Sequence, residues 1–389
     1  MKTVKELYAR LNAQQNFKHK YPEFNMDDNK IHVLFLSPCL HESGYYRMIL
    51  PALELNRTNT HAAIISQIHK WDFSKQFDDY DSPVELRLVE WADYVVLPPM
   101  FTDVSYIIRN MREINDEIEF VMDLDVNYHE LPEYHPDYTK MQQTAKGTLV
   151  NNLAQVDILT APNHAILDYY KAIAQRSSQE FLLYFEPYPN LLSNITYSEI
   201  SEIRQNPGPK IRLGLLLESS QLNDLLVIEK PLATLLEKYK KQLELIIFGW
   251  SLKVGEQHGL FKDLPVIYQK PELFTGYHQI LNELRLDIGL IPLSDNLYNA
   301  SGKALNRYLD FSACMVPVVA SNTFPLKKVI MEAENGFLAA NENEWLTKIE
   351  KLITDIELRK SVGKGAFAFA WENYSYSPRT IQRLKSIFI

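Results

Sequence analysis

Residues 286–321 read LDIGLIPLSDNLYNASGKALNRYLDFSACMVPVVAS, and the fold prediction rests mainly on this stretch. Its apolar runs predict buried strands over residues 286–291 and 316–320, and the sequence between them predicts a polar loop and then a helix over 302–313. In open α/β sheets, ligands bind where a loop leads from the carboxyl end of a strand into a helix. The stretch therefore predicts both a parallel sheet and the position of a binding site.

Three charged residues follow one another at helical spacing in this stretch. Lys303 falls in the first turn of the predicted helix, Arg307 follows one turn later, and Asp310 comes next on the same side. The free N–H groups and the dipole of a helix N-terminus favour a bound phosphate. Two cations and a carboxylate suit a nucleotide diphosphate, with Asp310 left for ribose hydroxyls. The alternative is an ordinary solvated helix face.

The same stretch resembles the donor-binding region of retaining glycosyltransferases of family 4, the glycosyl transferases group 1. One branch of that family reads K-S-x-x-K-x-x-E-Y-x-A-x-G-x-P-V-V-A-S, and ten residues fall in register with it: Lys303, Arg307, Asp310, Phe311, Ala313, Pro317, Val318, Val319, Ala320 and Ser321. The resemblance continues through Asn335-Gly336-Phe337, Glu344-Trp345 and residues 355–359. It implies a GT-B architecture, in which two Rossmann-like parallel-sheet domains face each other across a cleft and a helical C-terminal tail follows.

The sequence also departs from the family pattern. The usual second glutamate is Asp310, and the usual glycine before Pro317 is Met315. The first acidic residue of the family, eight positions before the second, would fall on Gly302, and Asp295 is the nearest substitute. These changes concern the geometry of sugar binding more than the fold.

Length and pattern predict two domains. A chain of 389 residues is too long for one ordinary core. Strand and helix patterns alternate up to a polar segment that ends in Asn206-Pro207-Gly208-Pro209, and the alternation restarts at residue 211. We therefore predict a Rossmann-like acceptor-side domain over residues 1–200 and a nucleotide-sugar domain over 210–389, whose final helices pack back on the first domain. Strands are predicted at 31–36, 62–66, 94–97, 120–122, 158–160, 182–185, 211–217, 243–248, 266–268, 287–291 and 316–320. Helices are predicted at 45–55, 104–114 and 165–174, and near 225–239 and 273–284.

Composition excludes several classes of partner. A net charge of −9 without a dense Lys/Arg run disfavours nucleic acid. Two cysteines, Cys39 and Cys314, disfavour a disulfide framework or a zinc site and indicate a reducing compartment. The sequence has neither a membrane-length apolar run nor a signal-peptide core, so we expect a cytoplasmic protein. An amphipathic N-terminal helix over residues 4–11 predicts packing on its own domain or peripheral contact with the inner face of the membrane.

Further candidate site residues lie after predicted strands of the first domain. Gly44 would let the backbone approach a ligand, and Arg47 would line the cleft. Asp125, Asn127 and His129 leave the strand at 120–122, so Asp125 and His129 are expected to contact sugar or acceptor hydroxyls. The residues predicted to face the acceptor are therefore Gly44, Arg47, Asp125 and Asn127. The alternatives are a turn with a surface arginine and ordinary loop capping.

The remaining donor-side candidates are short polar residues. Ser219 and Ser220 follow the first strand of the second domain and are expected either to bind a phosphate or to cap the next helix, while Asp224-Leu225 is kept from the family pattern. Asn299, Ser301 and Gly302 complete the predicted donor loop with Asp295. No metal or cofactor is expected, because enzymes of the GT-B class generally work without a bound metal.

The resulting functional prediction is a retaining, hexosyl-type glycosyltransferase that moves a sugar from a nucleotide diphosphate to a glycan, lipid-linked or protein acceptor. Lys303, Asp310 and His129 would act in catalysis: Lys303 neutralises the departing diphosphate, Asp310 holds donor hydroxyls and His129 contacts the transferred sugar. Two alternatives stay open. The altered acidic motif fits a catalytically degenerate partner subunit, and the two-domain architecture is shared by sugar-nucleotide epimerases.

Overall fold

A computed structural model describes residues 4–12, 16–36, 42–66, 86–141, 145–176, 183–200, 202–203, 205, 208–217, 221–249, 266–270, 276–300, 303 and 305–389. Contacts divide the chain into two compact units. Unit 1 comprises Met1–His129, Lys140–Asn190 and Tyr376–Ile389, and unit 2 comprises Glu130–Thr139 and Leu191–Ser375. The chain therefore contributes a short early segment to unit 2 and returns to unit 1 for its last residues.

Unit 1 is built on a six-stranded parallel sheet with the strand order β2-β1-β3-β4-β5-β6. Its strands are β1 (Ile31–Leu36), β2 (His61–Ser66), β3 (Tyr94–Leu97), β4 (Glu119–Asp123), β5 (Ile158–Ala161) and β6 (Tyr184–Pro187). Most positions of the first five strands are buried, as expected for a parallel sheet that helices cover on both faces. The order reverses between β1 and β3, which places a crevice at their carboxyl ends.

The helices of unit 1 lie before, between and after these strands. They are α1 (Val4–Asn12), α2 (Phe17–Lys20), α3 (Glu42–Gly44), a π-helix (Tyr45–Ile49), α4 (Leu50–Leu55), α5 (Leu86–Trp91), α6 (Ser105–Ile114), α8 (Lys146–Leu153), α9 (His164–Arg176) and α18 (Pro378–Lys385). A 3₁₀ turn (Tyr128–Glu130) and α7 (Tyr138–Lys140) stand at the two ends of the segment Glu130–Thr139, which belongs to unit 2. The sequence predicted one helix over residues 45–55, but its first five residues form the π-helix. Such a local widening of a helix occurs frequently at functional sites.

Unit 2 contains a second six-stranded parallel sheet, ordered β12-β11-β10-β7-β8-β9. Its strands are β7 (Ile211–Leu216), β8 (Leu243–Phe248), β9 (Val266–Gln269), β10 (Ile288–Ile291), β11 (Val318–Ser321) and β12 (Phe337–Ala339). The prediction of two parallel-sheet units is confirmed, and β12 is a strand that sequence reasoning missed. The order reverses between β7 and β10, so a crevice opens at the carboxyl ends of these two strands.

The helices of unit 2 differ from the prediction at two points. They are α10 (Asn194–Ile200), α11 (Leu222–Leu226), α12 (Glu229–Lys238), α13 (Tyr277–Glu283), α14 (Leu297–Ala300), α15 (Asn306–Ala313), α16 (Glu342–Thr354) and α17 (Ile356–Asn373). The single helix predicted over 225–239 is two helices. The helix predicted to begin at Gly302 begins at Asn306 instead, and a short helix, α14, lies within the loop before it.

Close packing fixes α15 on the sheet. A Cβ atom at Gly289, in β10, would lie 2.7 Å from ring atoms of Phe311 in α15, so only glycine allows this approach. Tyr308, Leu309 and Phe311 are all fully buried in the same core. The loop between β10 and α15 is therefore anchored at both ends by buried contacts.

The N-terminal helix α1 turns apolar residues towards its own unit. Val4 and Leu7 are each 1% exposed. Because Val4 and Leu7 are buried, these two side chains offer no apolar area to a lipid surface. Among the described residues, the structure contains no helix that is both long enough and apolar enough to cross a membrane.

Candidate functional site

Asp224 is the centre of a hydrogen-bond cluster at the crevice of unit 2. Its side chain lies in α11, which follows β7, and the residue is 1% exposed. Oδ1 accepts hydrogen bonds from the Ser294 backbone N–H at 2.8 Å, the Ser294 hydroxyl at 2.7 Å and Asn299 Nδ2 at 2.9 Å. One buried carboxylate therefore ties the loop after β10 to the helix after β7.

Lys303 joins this cluster through the second carboxylate oxygen. Its ammonium nitrogen lies 3.4 Å from Asp224 Oδ2 and 5.0 Å from the centre of the Tyr298 ring. The Lys303 side chain is only 11% exposed, so water screens this charge less than it would on an open surface. Lys303 precedes α15 rather than lying in its first turn, which corrects the helical spacing predicted for Lys303, Arg307 and Asp310.

Arg307, in the first turn of α15, reaches the other strand of the crevice. Its Nε donates a hydrogen bond to the Leu216 carbonyl at 2.9 Å, and Leu216 is the last residue of β7. The guanidinium is therefore held at the carboxyl end of β7. Lys303 and Arg307 thus bring two cations to the loops around the crevice of unit 2.

Asp310 lies deeper than predicted. It is 1% exposed, its Oδ1 lies 2.9 Å from His278 Nε2, and its Oδ2 accepts a hydrogen bond from the Tyr277 hydroxyl at 3.3 Å. Both partners belong to α13, so the carboxylate joins α15 to α13. The contact between Asp310 and ribose hydroxyls stays a prediction.

Tyr134 connects the early segment of unit 2 with the same loop. Its hydroxyl lies 3.0 Å from Ser294 Oγ and accepts a hydrogen bond from Asn296 Nδ2 at 2.9 Å. His135 packs edge-on against Tyr298, with ring centres 5.8 Å apart. The loop that carries Asn299 and leads to Lys303 is therefore braced from two directions, by Asp224 and by Tyr134.

A cavity of about 400 Å³ borders this loop, at the carboxyl ends of β10, β11 and β12. Ser294, Asp295, Asn296, Ser321 and Lys327 are among the residues that line it. The volume falls in the range of small-molecule sites. Asp295, the predicted substitute for the family's first acidic residue, is an exposed residue of this lining.

Arg47 is the centre of a buried hydrogen-bond cluster in unit 1. Its Nε donates to Asp123 Oδ1 at 2.8 Å and its Nη2 to Asp123 Oδ2 at 2.5 Å, while Nη1 donates to Asn190 Oδ1 at 2.9 Å and to the Tyr188 carbonyl. Burial disfavours the charged guanidinium, yet the contact with Asp123 holds the pKa of Arg47 above its ordinary value. Arg47 therefore lies in a buried ion pair of unit 1, and its predicted place in the cleft stays a prediction.

A cavity of about 210 Å³ lies beside this pair, at the carboxyl ends of β1, β3 and β4. Gly44, Arg47, Asp123 and Asp125 all line it. Asp125 Oδ1 accepts a hydrogen bond from the Tyr128 hydroxyl at 2.5 Å, and Oδ2 accepts one from the Ser43 hydroxyl. The structure therefore brings together three of the four residues predicted to face an acceptor.

The fourth, Asn127, and the neighbouring His129 have supporting contacts. Asn127 is 2% exposed, and its Oδ1 accepts a hydrogen bond from the His129 backbone N–H at 3.1 Å, so it shapes the loop. His129 Nδ1 lies 3.1 Å from the Tyr170 hydroxyl, and Lys146 donates to the His129 carbonyl at 2.7 Å. The ring of His129 is oriented by Tyr170, and its contact with a sugar stays a prediction.

Sequence reasoning assigned no site role to Asp224, Asp123 or Tyr134. Asp224 and Asp123 each carried a signal, since both are acidic residues at or soon after the carboxyl end of a predicted strand. Tyr134 carried none, because its partners lie 160 and 162 residues later in the chain. The predicted residues Ser219, Ser220, Ser301 and Gly302 lie outside the described residues. In the part of the chain that the structure describes, no group of three His, Cys, Asp or Glu side chains has a geometry that could hold a metal ion.

Comparison with known protein families finds no match for this sequence, and no curated protein matches it either. Solved structures do match. Anabaena HepE in complex with UDP and glucose has a TM-score of 0.60 at 15% identity, over 92% of this chain and 98% of its own. A glycosyltransferase from Rickettsia africae gives 0.58 at 12% identity, over 93% and 98%. Sucrose-phosphate synthase from Thermosynechococcus elongatus gives 0.57 at 11%, over 92% and 98%.

These similarities cover nearly the whole chain of each protein, and at such low identities they establish the fold. The two six-stranded parallel sheets with their surrounding helices are those of the GT-B fold. The predicted fold class is confirmed. The activity of this chain has to be argued from its own residues.

Proposed function

We propose that the protein is a glycosyltransferase that transfers a sugar from a nucleotide diphosphate sugar to a hydroxyl group of an acceptor, with retention of configuration. One observation carries the proposal: Asp224 braces the loop that leads to Lys303 at the crevice of unit 2. Fold similarity to HepE, which was crystallised with UDP-glucose, makes a nucleotide sugar the first donor class to test.

The cations around the crevice suit a diphosphate. The ammonium of Lys303 lies beside Asp224 in the helix after β7, and the guanidinium of Arg307 is bonded to the last residue of β7, at the switch point where nucleotides bind in open α/β sheets. A positive charge held in a partly buried site stabilises negative charge more strongly than the same group in open water. Lys303 and Arg307 would therefore stabilise the diphosphate most as it departs and gains charge.

The reaction requires one bond exchange at the anomeric carbon. The bond to the diphosphate oxygen breaks, the bond to the acceptor oxygen forms on the same face, and the acceptor proton passes to the departing phosphate. No protein nucleophile is needed for this route. Asp224 acts here as a positioning residue, because its contacts are with the loop and with Lys303, and Asp310 would stabilise the helix that carries Arg307.

The direct test is thermal-shift screening against UDP, GDP, ADP and their sugar conjugates. We expect one nucleotide family to stabilise the protein, and we expect Lys303→Ala to remove most of that stabilisation and to lower turnover at least tenfold, since a lost charge-assisted contact is worth about 1.5–3 kcal/mol. Lys364→Ala is the matched control, because Lys364 is an exposed lysine of α17.

The outcomes separate the candidate functions. Binding without transfer to any acceptor would favour a degenerate partner subunit, and interconversion of the donor sugar without an acceptor would favour an epimerase. If no nucleotide stabilises the folded protein, the proposal is wrong. The anomeric configuration of the product, measured by NMR, tests retention separately.

A further inference from the structure

The residues that line the cavity of unit 1 limit the class of acceptor that can bind there. Its polar lining residues are Ser43, Arg47, Asp123, Asp125 and Tyr128, and its apolar lining residues are a methionine and two consecutive prolines. A lining that offers both polar and apolar groups suits a sugar ring, which has hydroxyls at its edge and C–H bonds on its faces.

The formal charges of the residues that line the cavity do not sum to zero. Arg47 and Asp123 form a bidentate pair, are 4% and 5% exposed, and cancel one another. Asp125 receives hydrogen bonds from the hydroxyls of Ser43 and Tyr128, which are neutral donors and leave its negative charge in place. Counted over the described residues that line it, the cavity therefore carries one net negative charge.

The volume sets the size of the group that enters. At about 210 Å³, the cavity is smaller than sites for drug-sized ligands, which measure about 300–1,000 Å³. That space is sufficient for one ring with its hydroxyls and too small for a disaccharide. A larger acceptor would place only its terminal unit there.

We propose that this cavity receives the terminal unit of a neutral, polyhydroxylated acceptor and selects against acceptors that carry a phosphate or carboxylate on that unit. The inference rests on the proposed function, since it presupposes sugar transfer to a hydroxyl group. Asp125 is the residue that determines this specificity. Its carboxylate accepts hydrogen bonds from acceptor hydroxyls and repels a second anion at short distance.

The test compares acceptors that differ in one group: methyl hexosides against the corresponding methyl hexuronosides and methyl hexoside 6-phosphates. We expect kcat/KM for the neutral member of each pair to exceed that of the anionic member at least tenfold. Asp125→Asn should narrow the ratio to about threefold or less, because the amide keeps a hydrogen-bonding group and removes the charge. Asp125→Glu should keep the ratio, and Asp116→Asn, at an exposed site outside the cavity, should leave it unchanged.

Donor hydrolysis and nucleotide binding, measured on the same preparations, separate this inference from the proposed function. If the enzyme hydrolyses its donor but uses anionic acceptors equally well, or if Asp125→Asn leaves the ratio as it was, the inference is overturned. The same conclusion follows if hydrolysis persists and no hexoside of either charge is used. If no donor is bound or hydrolysed, the proposed function itself fails.

Discussion

Replacing Asp224 with asparagine tests whether the buried cluster of unit 2 acts as a unit. Asparagine keeps an acceptor for Ser294 and Asn299 but puts a neutral group opposite the Lys303 ammonium. The side chains of Asp224 and Lys303 are 2% and 11% exposed, so the charge left on Lys303 is poorly solvated. Breaking a fully buried pair costs about 3–5 kcal/mol, and the partial exposure of Lys303 reduces the expected loss to about 2–3 kcal/mol.

The assay is a double-mutant cycle on the free energy of unfolding. Asp224→Asn, Lys303→Met and the double variant are compared by urea denaturation and by thermal unfolding. For a unit of this size, a loss of 2–3 kcal/mol corresponds to a fall in Tm of about 5–10 °C. The double variant should be more stable than the sum of the single effects predicts, by about 1–2 kcal/mol, because Lys303→Met removes the charge that Asp224→Asn leaves without its partner.

The control cycle pairs Asp224→Asn with Lys364→Met, and those two effects should add. If the effects of Asp224→Asn and Lys303→Met also add to within about 0.5 kcal/mol, the two residues are not coupled. The cluster would then not be the support for the donor loop that the proposed function requires.

Two further substitutions test local features of unit 2. Tyr134→Phe removes a hydroxyl that has two hydrogen-bond partners on the donor loop. We expect the free energy of unfolding, measured by denaturation, to fall by about 1 kcal/mol. In steady-state kinetics, we expect the KM for the donor to rise and kcat to change less. Met315 has a φ of 55°, in the left-handed region. Met315→Gly relieves about 1–2 kcal/mol of backbone strain in the folded state, but it costs about 0.5–1 kcal/mol because glycine gives the unfolded chain more conformational freedom. We therefore expect Tm to rise by about 1–3 °C. A fall in Tm would show that packing of the Met315 side chain outweighs the strain.

The strands were predictable because each buried parallel strand is a short apolar run with polar residues on both sides. The predicted bounds of β1, β3 and β8 agree with the structure to the residue. The three-residue strand β12 was not predictable in this way, since so short a run carries too little pattern. The positive φ of Met315 was not predicted: the sequence analysis related the missing glycine at this position to sugar binding, whereas the structure shows that it concerns the backbone.

The site was less predictable, because its contacts join residues that lie far apart in the sequence. Asp224 meets Ser294, Asn299 and Lys303, which are 70 to 79 residues away. The predicted helix start failed for a local reason. The loop contains its own short helix, and Leu305, at the N-cap of α15, makes no side-chain capping bond that could mark a boundary.

Each unit sets a buried carboxylate near the crevice of its sheet, and each of these carboxylates is paired with a cation. In unit 2, one oxygen of Asp224 accepts hydrogen bonds from neutral donors and the other lies opposite Lys303, while Arg307 brings a second cation to the end of β7. In unit 1, Asp123 neutralises Arg47 in the interior, and the charged group that remains beside the cavity is the anion Asp125. Cations suit a diphosphate, and a carboxylate suits acceptor hydroxyls because it accepts their hydrogen bonds. The division of charge between the two units therefore supports assigning the donor to unit 2 and the acceptor to unit 1.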